Sequence, residues 1–305
     1  MQNYNDFGDF LKRHFSGKVQ KISINAGFTC PNRDGSKGIG GCTYCNNNTF
    51  NPAYCKPTKS VAEQLEEGKA FFARKYPSMK FLAYFQAYTN TYGEMEHLKV
   101  LYEEALAVED VVGIIIGTRP DCVPNELLDY LQQLSQNHFV FIEYGAETAN
   151  NTTLATINRG HTWQDTADAV NRTVARGLEC GLHLILGLPG ETEEDILNTI
   201  NEASSLPITT LKLHQLQLIR GTKLARQVQS GELSIIEFTP QSYIELCGKV
   251  IEHTRPDIFI ERFVSQSPAD LLIYPKWGLK NYEFTNLLNN HLKATQTIQG
   301  SRYQP

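Results

Sequence analysis

Along most of the chain, short apolar runs alternate with longer stretches in which apolar residues recur every three or four positions. The runs read as buried strands and the stretches as amphipathic helices. Strands are predicted at 20–26, 80–88, 111–117, 138–145, 181–187 and 209–216. Helices are predicted at 60–76, 94–107, 125–135, 163–176, 191–205 and 239–254. Ser60 and Glu63 form a capping-box start for the first of these helices. A seventh strand is expected at 258–264, with helices at 268–273 and 283–294 closing the fold.

Six strand–helix units imply an α/β fold, a parallel sheet covered by helices. They are too few for a closed eight-stranded barrel. A partial (β/α)6 barrel with a C-terminal strand and helices, or a doubly wound sheet, remains. In both, chemistry sits at the carboxyl ends of the strands. No Gly/Ser/Pro-rich linker interrupts the pattern, so a single domain over 1–305 is expected, with a core at 18–255 and a C-terminal extension at 256–305.

At 305 residues and 41% hydrophobic, the chain can bury a sizeable core. The apolar runs at 111–116 and 184–188 are far too short to span a bilayer. Residues 1–10 lack the basic start and apolar stretch of a signal peptide. A cytoplasmic protein with no membrane partner is expected. Net charge is −5, which gives no global sign of nucleic-acid binding. From Lys276 onward, however, Lys276, Lys280, Lys293 and Arg302 face only Glu283. Tyr274, Trp277, Tyr282, Phe284 and Tyr303 are interleaved with them. This segment is either a solvated surface over core aromatics or a local RNA contact.

Seven cysteines in a cytosolic chain read as metal ligands and buried thiols rather than disulfides. Three are spaced C-x11-C-x2-C, at Cys30, Cys42 and Cys45, in a loop that holds Gly35, Gly38, Gly40 and Gly41. Such a loop can wrap its backbone closely around a metal centre. Spacing alone leaves three readings open. One is a zinc site with Cys55 as fourth ligand. The second is incidental thiols. The third is a 4Fe–4S cluster with three protein ligands and one open iron.

Thr43 and Tyr44, between the last two cysteines, resemble the signature of radical S-adenosylmethionine (SAM) enzymes, in which an aromatic residue precedes the third cysteine. The wide first gap departs from their commonest spacing and resembles the elongator catalytic subunit family. The run CPNRDGSKGIGGCTYCNN is similar to YhcC/YtqA-type radical SAM proteins. So are YFQAYTNTY (84–92), GTRPDC (117–122), YGAET (144–148), INRGHT (157–162) and LILGLPGET (184–192), which spread the likeness over nearly the whole chain.

The resemblance implies a cluster on Cys30, Cys42 and Cys45, whose open iron is chelated by SAM. Reduction by a donor such as flavodoxin or ferredoxin then splits SAM to a 5′-deoxyadenosyl radical, which takes hydrogen from the substrate. Tyr44, Gln86 and Thr118 are implied SAM contacts, with Tyr88, Thr89, Asn90 and Arg119 as neighbouring candidates. Arg119 reads equally as half of a buried ion pair. Glu143 or Glu147 would hold the ribose diol, Glu147 being nearer its strand end. Arg159 would take the SAM carboxylate, unless it merely caps a helix. Ile185, Gly187 and Glu191 match an adenine-contacting motif in which His183 replaces a glycine. Lys212, His214 and Gln215 are the candidate substrate-facing groups. Cys55 and Cys122 are candidates for a hydrogen-atom donor or an auxiliary centre, whereas Cys180 and Cys247 read as buried thiols.

The elongator likeness implies a tRNA substrate, modified at C5 of a wobble uridine. At 305 residues there is no room for that family's acetyltransferase domain, so a different carbon unit is expected. Radical chemistry on a small metabolite or coproporphyrin-like anion, and a zinc-stabilised module without redox chemistry, are the alternatives.

Overall fold

The computed structural model describes residues 3–46, 49, 51–73 and 79–304. Its main sheet is parallel and consists of β1 (Val19–Ile24), β2 (Lys80–Phe85), β3 (Val111–Thr118), β4 (Phe139–Glu147), β5 (Glu179–Leu186), β6 (Thr210–Gln215) and, past the short β7 (Leu218–Ile219), β8 (Phe259–Arg262). Strand order in space follows order in the chain. Each crossover therefore steps the same way, with none of the reversal that defines a doubly wound sheet. Successive right-handed crossovers put the connecting helices on one face and curl the sheet into a half-barrel. The predicted seventh strand is its far edge.

The connecting helices are α2 (Val61–Ala73), α3 (Met95–Ala107), α4 (Asn125–Leu134), α6 (Trp163–Val174), α7 (Glu193–Ser205) and α9 (Pro240–His253); α10 (Asn281–Ala294) packs on α9. Their apolar faces meet one side of every strand, including Phe85, Ile116, Ile142, Leu184 and Leu213, all buried. Burial on that side explains why the strands read as apolar runs in the sequence.

The concave side is filled differently. Helix α1 (Phe7–His14), unforeseen because it carries few apolar residues, caps its amino end with Asp6. It seats Phe10, 1% exposed, among Leu82, Ile115, Phe141 and Phe259 at the amino-terminal end of the strands. The Phe10 ring centroid lies 5.5 Å from that of Phe141 and 5.6 Å from that of Phe259. Above this plug lies a buried charged layer. Lys212 Nζ donates to Glu143 at 2.8 and 3.0 Å and to the Tyr84 hydroxyl at 2.7 Å. Tyr84 in turn donates to Glu143 at 2.6 Å, and Lys21 to Glu261 at 2.7 Å.

Several expected boundaries shift. β1 stops at Ile24 and β2 at Phe85, because Gly27 and Tyr88 adopt positive φ and turn the chain. The predicted end of the first helix at Tyr76 lies outside the described residues. The expected helix at 268–273 is instead a turn followed by β9 (Leu272–Tyr274), which pairs antiparallel with β7. Pro275 follows directly, so Leu272, Ile273 and Tyr274 have no room for a helix and satisfy their backbone against Leu218 and Ile219. Two short helices, α5 (Asn151–Thr156) and α8 (Lys223–Gln229), were not foreseen.

Beyond β5, Gly187 takes φ +86°, and a Cβ there would sit 2.7 Å from the Phe238 ring. The loop then buries Glu191, which accepts from Thr148 Oγ1 at 2.6 Å. Burial pushes its carboxyl up to about 7.

Two outcomes follow for stability. Phe10→Ala should cost about 3–5 kcal/mol in chemical denaturation, as expected for emptying an aromatic site that cannot collapse. Glu191 binds a proton more tightly folded than unfolded, so its contribution is present below about pH 4 and is lost as pH rises through about 7. Glu191→Gln should therefore flatten the fall in stability over that window, by on the order of 1–3 kcal/mol, and raise Tm at pH 8 but not at pH 4. A parallel fall in both proteins would refute this.

Candidate active site

The carboxyl ends of the strands open into a cavity of about 230 Å3. Cys30, Cys42 and Cys45 lie on its wall, in the loop that follows β1. None of the three is in a disulfide; the first two are buried and the third is half-buried.

This loop is held by a segment far along the chain, just after α5. Thr43 N–H donates to the Ile157 carbonyl at 2.9 Å, and the Asn158 side chain donates to the Gly41 carbonyl at 2.9 Å. Asn32 Nδ2 reaches back to the Asn158 carbonyl at 2.5 Å and lies 3.7 Å from Cys42 Sγ. Arg159 Nη1 donates to Cys42 Sγ at 3.5 Å. Its Nη2 donates to the Gly145 carbonyl at 2.5 Å and pairs with Glu147 at 3.3 Å. A Cβ on residue 145 would stand 2.6 Å from Arg159 Nη2, so glycine is what lets the guanidinium cross the end of β4.

Glu147 sits at a bulge in the β4–β5 pairing, with φ +68°. Its carboxylate also accepts from His183 Nδ1 at 2.9 Å. Burial alone would raise this carboxyl, yet Arg159 and His183 hold it well below the usual carboxylate range. Burial, with Cys42 and Glu147 nearby, pushes the Tyr44 phenol well up, so Tyr44 is neutral. His214 Nδ1 lies 2.6 Å from the Gln215 carbonyl, which can only accept; its Nε2 is thereby left as an acceptor.

The structure gathers most of the sequence-predicted residues here. Tyr44, Gln86, Thr118, Glu147, Arg159 and Ile185 line the cavity, as do Tyr88, Arg119, Glu143, His183, Lys212 and His214. Gly187, Thr89, Asn90 and Gln215 are absent from its lining. Asn90 Nδ2 is taken by the Phe85 and Gly117 carbonyls, and Gln215 Nε2 by the Ser265 carbonyl. Glu143 is bound by Lys212 and Tyr84, which leaves Glu147 as the carboxylate at the strand end. Arg119 pairs with Asp121 at 2.9 and 3.0 Å and donates to the Arg159 carbonyl, matching the ion-pair reading. Cys55, buried 3.9 Å from Asn51 Oδ1, and Cys122, 3.7 Å from Asp121 Oδ1, are absent from the lining. Arg33, Gln217, Arg262 and residues 265–267 line the cavity too. Arg33 belongs to the cysteine-loop motif and Arg262 to the predicted seventh strand, yet neither was singled out, the signal there lying in the cysteines and the earlier strand ends.

Three thiols on one wall, with buried guanidinium groups behind them, are a donor set suited to an anionic iron–sulfur cluster. Among the described residues no three His, Cys, Asp or Glu side chains gather to hold a single metal ion. Cys55, the fourth ligand a zinc site would need, stands apart. Among the described residues no helix is long and apolar enough to cross a membrane.

Comparisons with known proteins agree. The profile of the radical SAM superfamily matches residues 25–203, and that of the radical SAM C-terminal domain matches 208–294. Protein YhcC of Escherichia coli K12 is 36% identical over 302 residues, covering 97% of this chain and 94% of its own. The tRNA uridine(34) acetyltransferase of Methanocaldococcus jannaschii is 29% identical over 124 residues, 40% of this chain and 22% of that one. The solved structure of archaeal Elp3 from Methanocaldococcus infernus, with an N-terminal deletion, aligns with a TM-score of 0.67 at 16% identity. It covers 93% of this chain, which spans 64% of that structure, and the likeness is one of fold. The chain belongs to the radical SAM superfamily, as a YhcC/YtqA-type protein, and its cofactors are a 4Fe–4S cluster and SAM.

Proposed function

We propose that Cys30, Cys42 and Cys45 ligate the cluster, that SAM lies against Tyr44, Gln86, Thr118, Glu147, Arg159 and Ile185, and that the enzyme modifies tRNA at C5 of a wobble uridine. The observation that carries the site assignment is the meeting of Cys30, Cys42, Cys45, Arg159 and Glu147 on one cavity wall. When bound, the cluster supplies the electron that splits SAM into methionine and the hydrogen-abstracting 5′-deoxyadenosyl radical.

This chain's residues do the rest. Arg159 has a buried Nε with no acceptor among the described residues, which leaves a donor for the SAM carboxylate. Glu147, held ionised by Arg159 and His183, accepts from the vicinal ribose hydroxyls. Gln86 has its oxygen fixed by Ser23 Oγ at 2.9 Å, which sets its amide orientation toward the cavity. Ile185, 3% exposed, and Leu216 offer an apolar surface for adenine and keep water from the reacting centre. Gly187 contributes through the turn it allows rather than through contact. The reductant is a small electron carrier such as flavodoxin or ferredoxin.

The tRNA reading is supported by the likeness of fold to archaeal Elp3 and by the partial match to a tRNA uridine(34) acetyltransferase. Lys276, Lys280 and Lys293 are exposed. The aromatic residues around them mostly pack inward: Trp277 stacks on Phe284 at 6.1 Å and donates to the Phe238 carbonyl, and Tyr274 bonds the same residue. The RNA contact therefore rests on charge and on Tyr282, 60% exposed, rather than on a stacking platform.

Anaerobic reconstitution with iron and sulfide, then dithionite and SAM, should yield a brown protein that forms 5′-deoxyadenosine by mass spectrometry. Cys30→Ala/Cys42→Ala/Cys45→Ala should be colourless and inactive. A loaded cluster that gives no 5′-deoxyadenosine would overturn the site assignment.

For the substrate, Lys276→Ala/Lys280→Ala should weaken tRNA binding and lower the slope of log affinity against log salt by about 1–2. Wobble nucleosides from cells lacking the gene should lose a C5 substituent. Absence of tRNA binding, together with unchanged nucleosides, would sink the tRNA reading.

A further inference from the structure

The pairing of β6 with β8 slips by one residue. Leu211 faces Ile260, but Lys212 faces Arg262. Glu261 and Arg262 would point to opposite faces of a regular strand. The bulge turns both inward: Glu261 to Lys21 at 2.7 Å and Lys212 at 3.5 Å, and Arg262 onto the cavity wall.

The other guanidinium groups on that wall are committed. Arg33 donates to the Cys45 carbonyl at 3.2 Å, Arg119 pairs with Asp121, and Arg159 bridges Cys42, Gly145 and Glu147. Arg262 differs. Its Nε, like that of Arg159, is buried without a hydrogen-bond partner, but among the described residues no ion pair holds the rest of its guanidinium. Glu261, its neighbour in the chain, is held by Lys21, and Glu143, which lines the same cavity, by Lys212. A guanidinium N–H left desolvated and unpaired carries a desolvation cost that a bound anion would recover.

The polar edge next to Arg262 is fixed from within. Gln217 donates to the Ser265 carbonyl at 2.9 Å and accepts from Ser267 Oγ at 2.7 Å, so these side chains form a rigid border rather than alternative partners for Arg262. Arg262 also stands on the sheet edge opposite β1 and its cysteine loop, so it faces the side of the cavity left for substrate.

We propose that Arg262 is a substrate-binding residue whose planar fork receives an oxyanion of the substrate, a phosphate or a carboxylate. This rests on the cavity being the radical SAM active site, but not on the substrate being tRNA.

The test uses cluster-loaded protein under anaerobic conditions. Thermal unfolding is followed against inorganic phosphate and against acetate, each referred to chloride at matched ionic strength, with and without saturating SAM. Wild type should show a saturable rise in Tm with at least one probe, and the probe that acts identifies the anion class. Arg262→Gln should weaken the response about tenfold or more, while Arg262→Lys should keep part of it as a point charge. The response should persist with SAM bound. Equal responses in wild type and Arg262→Gln, or none in wild type, would overturn the assignment. Loss of the response on adding SAM would also overturn it, since the anion would then be SAM's own carboxylate. Because no turnover or tRNA is involved, failure here leaves the 5′-deoxyadenosine and tRNA outcomes standing on their own.

Discussion

A parallel sheet that curls only part-way leaves a concave face that no helix layer covers from outside, and every side chain there needs a partner. This chain meets the constraint in tiers. At the amino ends of the strands, Phe10 of α1 closes the space with aromatic packing. In the middle, Lys21, Tyr84, Glu143, Lys212 and Glu261 neutralise one another in a dry layer. Breaking any one partner of such a layer leaves an uncompensated buried charge, so the tier constrains its members tightly. Only the upper tier, at the carboxyl ends, is left open, and all the candidate chemistry lies there.

Within that tier, Arg159 joins the parts. One guanidinium touches a cysteine sulfur, the carbonyl that ends β4 and the carboxylate of Glu147. The cysteine loop is thus positioned by the barrel rather than by itself. Gly145, by lacking a side chain, makes the crossing feasible. The electrostatics are consistent with this arrangement: cations gather behind the thiols, and Glu147, at the end of β4, is kept ionised by Arg159 and His183.

The repeating strand–helix units were legible in the sequence because one face of every strand is buried under helices and reads as an apolar run. The cysteine loop and strand-end motifs were legible because their residue types are tied to chemistry. What failed to show was whatever depends on the concave face. Helix α1 has too few apolar residues to signal burial, although Phe10 anchors the plug. Arg262 alternates as an ordinary outward residue until the bulge reverses it. Asn90 and Gln215 look like ligands in the sequence but serve backbone carbonyls in three dimensions. Pro268–Ile273 is apolar enough for a helix, yet its neighbours Leu218 and Ile219 offer a strand partner and Pro275 ends the run.

The contact between Arg159 and Cys42 spans 117 residues of chain. During synthesis, the three cysteines therefore emerge long before the segment that locates them. The loop's geometry is set from outside it: Thr43 bonds the Ile157 carbonyl, Gly41 accepts from Asn158 and Cys42 from Arg159. The distant clasp makes the shape of the cysteine loop depend on the correct fold of everything between it and residue 159.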